Sequence, residues 1–314
     1  MSWRSAMPHS GSKWVLHDSP LTQPVNPLRF LSKSSCIYSI GSCFAANMNR
    51  WLKFQGFAVP EVSWGLHYNS RTILHELRRA AGYSVPDVDW RVCRNDGVTV
   101  YGDALRHCID AQSIEELGRI KADIAAQSRE VFERADAFFV TLGLSDVWET
   151  AIDGVPVTLN RAPYLGVKIL DEKASERIDN RFLSVEECVD DIRQIIGLIR
   201  AAKGAETPII FTVSPVPLKH ANGSFHPHIA NSRSKAILLS AIYSQLDEHC
   251  RDPFVSYFPS YEFFAANPLQ MMLWQEDDRH PSLDAINHVA RAFASSYAVE
   301  EFAERPGFTI DMFS

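Results

Sequence analysis

The stretch Cys36-Ile37-Tyr38-Ser39-Ile40-Gly41-Ser42-Cys43-Phe44 decides how this chain folds. β-Branched and aromatic residues run from Cys36 to Ile40 between Ser-rich polar sequence, which predicts a short buried strand. Gly41-Ser42 follows as a tight turn. Phe44, Met48, Trp51 (or Leu52) and Gln55 then recur every three to four residues up to Gly56, which predicts a helix with a glycine stop. Residues 36–56 therefore read as strand, turn, helix.

Outward from this unit the alternation continues. Apolar spacing predicts helices over 70–81, 113–134, 184–203, 231–250 and 282–303, and strands over 137–142, 208–213 and 254–258. Ser184 with Glu187 makes a capping box at one helix start. Asp96-Gly97 and Asp153-Gly154 predict small hairpins at 91–101 and 150–160, because such pairs accept the positive φ of a tight turn. Several strands are apolar on both faces, the pattern of a parallel sheet covered on both sides. The expected class is α/β, a three-layer α/β/α sandwich with a mainly parallel sheet and small β-hairpin insertions over one end. One domain is expected over 35–304, after a polar, proline-bearing arm at 1–34 and before a tail at 305–314.

Composition narrows the function. Hydrophobic residues make up 46% of the 314 and charged residues 22%, an ordinary globular mixture. With 31 Lys+Arg against 38 Asp+Glu the net charge is −7, which lacks the footprint for gripping nucleic acid through its phosphates. No run of about 18 apolar residues predicts a membrane span, and Met1–Lys13 has no apolar core of the secretory kind. The cysteines at 36, 43, 93, 108, 188 and 250 form no C-x-x-C pair and read as reduced thiols of a cytoplasmic protein.

In an open parallel sheet, ligands bind outside the carboxyl ends of the strands. Ser42 stands there, at a helix N-terminus whose N–H groups favour developing negative charge; a serine at this place also serves as an ordinary cap. Asp277 and His280 have D-x-x-H spacing, which lets a carboxylate fix an imidazole tautomer before the last helix. Cys43 reads as a core thiol beside Ser42. Trp64 and Trp148 flank the strand ends and could stack on a sugar. Glu149 and His220 could contact substrate; Arg233 and Lys235, near a helix start, could meet an anionic or sugar substrate, with a solvated helix face as the favoured reading of both. The histidines at 220, 226 and 228 could hold a metal but lack a tight ligand spacing; no cofactor is expected.

The stretch Ser39–Ala45, reading S-I-G-S-C-F-A, resembles the signature of the GSCFA-domain family, which belongs with the SGNH/GDSL hydrolase-like folds. Trp64–Asn69, Val140–Gly143 with Trp148-Glu149, Phe211–Val216, Asn231–Lys235, Tyr257–Glu262 and His280–Ser282 extend the resemblance from about 36 to 296. The resemblance implies Ser42 as nucleophile, His280 as base, Asp277 as its orienting carboxylate, and N–H groups of Ser42 and Gly65 as oxyanion donors. The third block usually reads G-x-N-D. Here it is Gly143-Leu144-Ser145-Asp146, so Ser145 or Asn69 must stand in for the missing Asn. The expected function is acyl-ester hydrolysis or O-acyl transfer on a carbohydrate or other small acylated substrate, with or without a separate acyl donor. The alternatives are a glycan- or peptide-binding module without catalysis and a metal-dependent enzyme using the 220–228 histidines.

Overall fold

The computed structural model describes residues 24–60, 64–93, 96–106, 109–152, 155–160, 168–169, 178–219, 225–267, 269–301 and 303–309. The central sheet holds β1 (Ile37–Gly41), β5 (Ala137–Leu142), β10 (Ile209–Val213) and β11 (Val255–Tyr257), in the order β1-β5-β10-β11 and all parallel. Every residue of these four strands is buried. That explains their unbroken apolar runs, since a parallel sheet is covered on both faces.

Alternate side chains feed two separate cores. Tyr38, Ile40, Phe138, Val140, Ile209 and Phe211 point to one face. There they meet α2 (Ser70–Ala80), α3 (Ile114–Arg134), α4 (Val185–Lys203) and α5 (Pro227–Glu248). Ile37, Phe139, Ile210 and Phe258 point to the other face. They meet α1 (Cys43–Phe54), α6 (Ser260–Ala266) and α7 (Leu283–Tyr297). Burying one Phe of this kind stabilises the fold by about 1.5–3 kcal/mol.

Two small antiparallel sheets complete the molecule. One has the order β4-β3-β2-β8, from β2 (Asp89–Cys93), β3 (Thr99–Asp103), β4 (Asp110–Ala111) and β8 (Lys168–Ile169). The other has the order β7-β6-β9, from β6 (Asp146–Ile152), β7 (Val155–Leu159) and β9 (Asp179–Phe182). Both expected hairpins are present as strand pairs, although Asn95, Asp153 and Gly154 lie outside the described residues.

Element ends differ from expectation at two helices. α5 begins at Pro227 rather than 231, because proline suits the first helical position and the His226 side chain accepts from His228 N–H at 3.3 Å. α7 ends at Tyr297 rather than 303, where Ala298 turns to pair with Leu31. Of the expected polar arm, residues 24–34 lie along the molecule. Val25 pairs with Tyr257, and Leu31 is buried in the α1/α7 core. Among the described residues no helix is long and apolar enough to cross a membrane.

Candidate active site

β1 delivers Ser42 to the carboxyl end of the sheet through Gly41. Gly41 has φ +143°, and a Cβ there would sit 2.2 Å from Thr141 O on neighbouring β5. Only glycine lets the strands stay paired while the chain turns into α1. Ser42 caps that helix: its Oγ accepts from Phe44 N–H at 3.3 Å, and no acidic residue occupies the first turn. The end of α1 therefore presents unneutralised positive dipole.

Ser42 and Gly65 line one cavity of about 320 Å³, together with Ser39, Ala45, Asn49 and Trp64. Gly65 has φ +74°, and among the described residues its N–H has no partner. Ser39 Oγ and Asn49 Oδ1 are buried in the same wall without protein partners. Gly143, at the end of β5, packs beside Ser42: a Cβ there would lie 3.4 Å from Ser42 Cβ and 2.8 Å from Tyr68 O.

Asp277 and His280 are brought together as their spacing anticipates. His280 Nδ1 bonds Asp277 Oδ2, and His280 N–H donates to Asp277 Oδ1 at 2.9 Å. That backbone bond, the imidazole and the Arg279 N–H hold the Asp277 carboxyl down at about 2. An ionised carboxylate only accepts, so Nδ1 carries the proton. Nε2 then carries the lone pair, and it accepts from Arg279 Nη1 at 3.0 Å. The two side chains remain nearly half exposed, at 46% and 47%, so the pair is open to a ligand. Ser42 and His280 share no hydrogen bond. The charge of Arg279, between the two residues of the pair, reaches Cys43, the residue after Ser42.

The stand-ins for the missing Asn are committed elsewhere. Ser145 is fully buried; its N–H donates to Ser234 Oγ at 2.7 Å and its hydroxyl lies 3.3 Å from the same atom. Asn69 Oδ1 accepts from Thr72 N–H at 2.8 Å as the cap of α2, and its amide faces Leu159 O at 3.5 Å. Both are held by the protein in this arrangement: Asn69 by a local backbone donor, Ser145 by a side chain of α5.

The expected substrate contacts fare differently from one another. Trp64 is 1% exposed and stacks on Tyr38 at 4.7 Å, so it supports the core instead of offering a sugar platform. Trp148 is half-buried against the Trp90 and Leu159 cluster. Glu149 is gripped by Arg181 at 2.6 and 3.0 Å and by Thr158 at 3.1 Å. Arg233 is exposed, with its guanidinium 4.4 Å above the Phe182 ring. His220 lies outside the described residues. His226 and His228 stack at 5.3 Å. Among the described residues no three His, Cys, Asp or Glu side chains gather as a metal site.

Cys43 packs against the α1/α7 core, and burial pushes its thiol up. Lys235 reverses its expected place on a solvated face. It is fully buried, and Nζ donates to Gly143 O and Ser214 O at 2.7 Å and to Val216 O at 3.1 Å. Burial draws its ammonium down to about 7, while three carbonyl acceptors call for the three N–H donors of the charged form.

Asn160 went unnoticed in the sequence. It donates to Leu66 O at 2.5 Å and accepts from Tyr68 N–H and Thr72 Oγ1 at 3.1 Å. It therefore clamps the segment that carries Gly65. Its only sequence signal is an Asn closing an otherwise apolar hairpin strand.

No curated protein matches the chain. The GSCFA family model matches residues 36–293, which spans β1, Ser42, Gly65, Asp277 and His280. The chain belongs to the GSCFA family.

Proposed function

We propose that the protein is a serine-dependent acyl-ester hydrolase or O-acyltransferase of the SGNH type. The observation that carries this reading is the grouping of three parts at one end of the sheet. Ser42 sits at the β1–α1 turn, Gly65, whose N–H has no partner among the described residues, shares its cavity, and the Asp277–His280 pair stands on a turn whose Arg279 charge reaches Cys43.

In this mechanism Ser42 Oγ attacks the acyl carbonyl while His280 Nε2 takes its proton. Asp277 keeps Nδ1 protonated and stabilises the imidazolium. The N–H groups of Gly65 and Ser42 receive the oxyanion. The imidazolium returns its proton to the leaving alkoxide, the C–O bond breaks, and an acyl-Ser42 ester remains. Water or an acceptor hydroxyl then gives its proton to His280 and attacks that ester, regenerating Ser42.

With Ser145 and Asn69 both engaged, one oxyanion donor is missing, which costs on the order of 10²–10³ in rate. Slow turnover on simple esters is therefore the expectation. Ser39 Oγ and Asn49 Oδ1, unpartnered in the cavity wall, suit a hydroxylated substrate such as a carbohydrate.

One observation favours a second reading, a binding module: Arg279 holds the lone pair that a base must use. Hydrolysis of aryl acyl esters by the purified protein separates the two. Ser42→Ala is expected to lower the rate at least about 10³-fold. A folded Ser42→Ala variant with the wild-type rate contradicts catalysis.

A further inference from the structure

Arg279 sits beside the base of the Asp277–His280 pair with donors to spare. One guanidinium nitrogen, Nη1, sits 3.0 Å from His280 Nε2. A second, Nε, is buried and has no partner. The residue's backbone N–H is spent on Asp277 Oδ1 at 3.1 Å. Among the described residues no carboxylate lies within ion-pair distance of the guanidinium. Arg71, Arg106, Arg181 and Arg291, by contrast, each grip one or two acidic side chains.

Among the described residues no acidic side chain pairs with this charge. The charges of Arg279 and Lys235 both favour the anionic form of Cys43, the residue after Ser42, and the first turn of α1 contains no acidic residue. Asp278, the residue before Arg279, is exposed, and Asp277 is taken up by His280 and by backbone N–H groups. Lys235 is spent on three carbonyls, so of these two cations only the Arg279 guanidinium keeps donors to spare. A guanidinium left with unused donors fits an oxyanion's geometry, since its planar fork bonds carboxylate or phosphate in pairs.

We propose that Arg279 is the recognition residue for an oxyanion, a carboxylate or phosphate group, carried by the substrate, and that binding it withdraws Nη1 from His280 Nε2. An imidazole lone pair is a weaker partner for a guanidinium than an anion is. The incoming group therefore takes Arg279 and leaves Nε2 open toward Ser42. Recognition and release of the base become one event, and a neutral ester meets a base that is still occupied. The binding half of this inference stands on Arg279 alone. Only its consequence for Ser42 rests on the acyl-transfer reading.

The test is nitrogen-detected NMR of the histidine rings of the full chain, with His280 assigned by its disappearance in His280→Gln. Sodium phosphate and sodium acetate are titrated separately, with chloride holding ionic strength constant. The wild-type His280 Nε2 resonance is expected to move saturably with one or both oxyanions and not with chloride. Phosphate alone or acetate alone would name the group. Arg279→Gln is expected to weaken that response at least about tenfold, and Arg279→Lys to retain part of it. A wild-type Nε2 resonance that ignores both oxyanions overturns the proposal, whatever the variants do. So does a full response in folded Arg279→Gln. Fluorophosphonate labelling of Ser42, run in the presence of phosphate or acetate so that Nε2 is open, separates the two ideas. An anion response without labelling keeps the oxyanion site and removes acyl transfer; labelling without an anion response does the reverse.

Discussion

The Asn160 carboxamide joins three groups of the 66–72 segment to the end of β7, and it is 1% exposed. Replacing it with alanine leaves Leu66 O, Tyr68 N–H and Thr72 Oγ1 buried without that partner. Each such loss costs about 1–3 kcal/mol, so Asn160→Ala is expected to lose at least about 2 kcal/mol in denaturant unfolding. A loss below about 0.5 kcal/mol, the range of an ordinary surface change, contradicts the clamp. Lys235 does related work across the sheet, tying the ends of β5 and β10 through Gly143 O, Ser214 O and Val216 O. Residues of this kind touch the proposed chemistry only through the backbone they hold.

At the scale of elements, the β1–α1 unit is the most constrained part of the site. A methyl at Gly41 meets the Thr141 carbonyl at 2.2 Å, and that carbonyl belongs to the paired neighbour strand. Neither strand can retreat without breaking the parallel ladder. Gly41→Ala is expected to lower stability by more than about 2 kcal/mol through overpacking and backbone strain, read as a lower unfolding midpoint. A midpoint equal to wild type would contradict the packing of β1 on β5. This unit was legible in the sequence because its signals are local: apolar run, glycine, serine cap, helical spacing. The Asp277–His280 pair was legible for the same reason, being three residues apart.

Lys235 was not legible. It precedes Leu238 by three residues and Ile242 by seven, which puts it on the buried stripe of α5. Hydrophobic patterning assigns a lysine to solvent, and only the carbonyls converging from β5 and β10 reverse that assignment. Asn160, Ser145 and Arg279 escaped in the same way. The partners of Asn160 and Ser145 are about ninety residues distant, and the stranded guanidinium of Arg279 follows from which charges are absent around it. Motif reading therefore picked out the local features of the candidate site, but it assigned ligand contacts to Trp64, Asn69, Ser145 and Glu149, whose side chains are occupied by tertiary packing.

Across the whole molecule, the proposed site draws on segments far apart in the chain: the β1–α1 turn, the 64–69 segment, the end of β5 and the 277–281 turn. The parallel sheet makes this convergence possible, because every strand ends on the same side and each connection returns over it. The two helical layers have separate cores, one packed on Phe138 and the other on Phe139, so the sheet between them is a rigid platform for the loops. On this platform Ser42 is proposed as an activated nucleophile. The decisive measurement is treatment of the purified protein with a fluorophosphonate in the presence of phosphate or acetate, the adduct located by mass spectrometry and His280→Ala as control. One adduct is expected, on Ser42, and it is lost in folded His280→Ala. An adduct on Cys43 instead, or labelling of Ser42 that persists unchanged without His280, would contradict it.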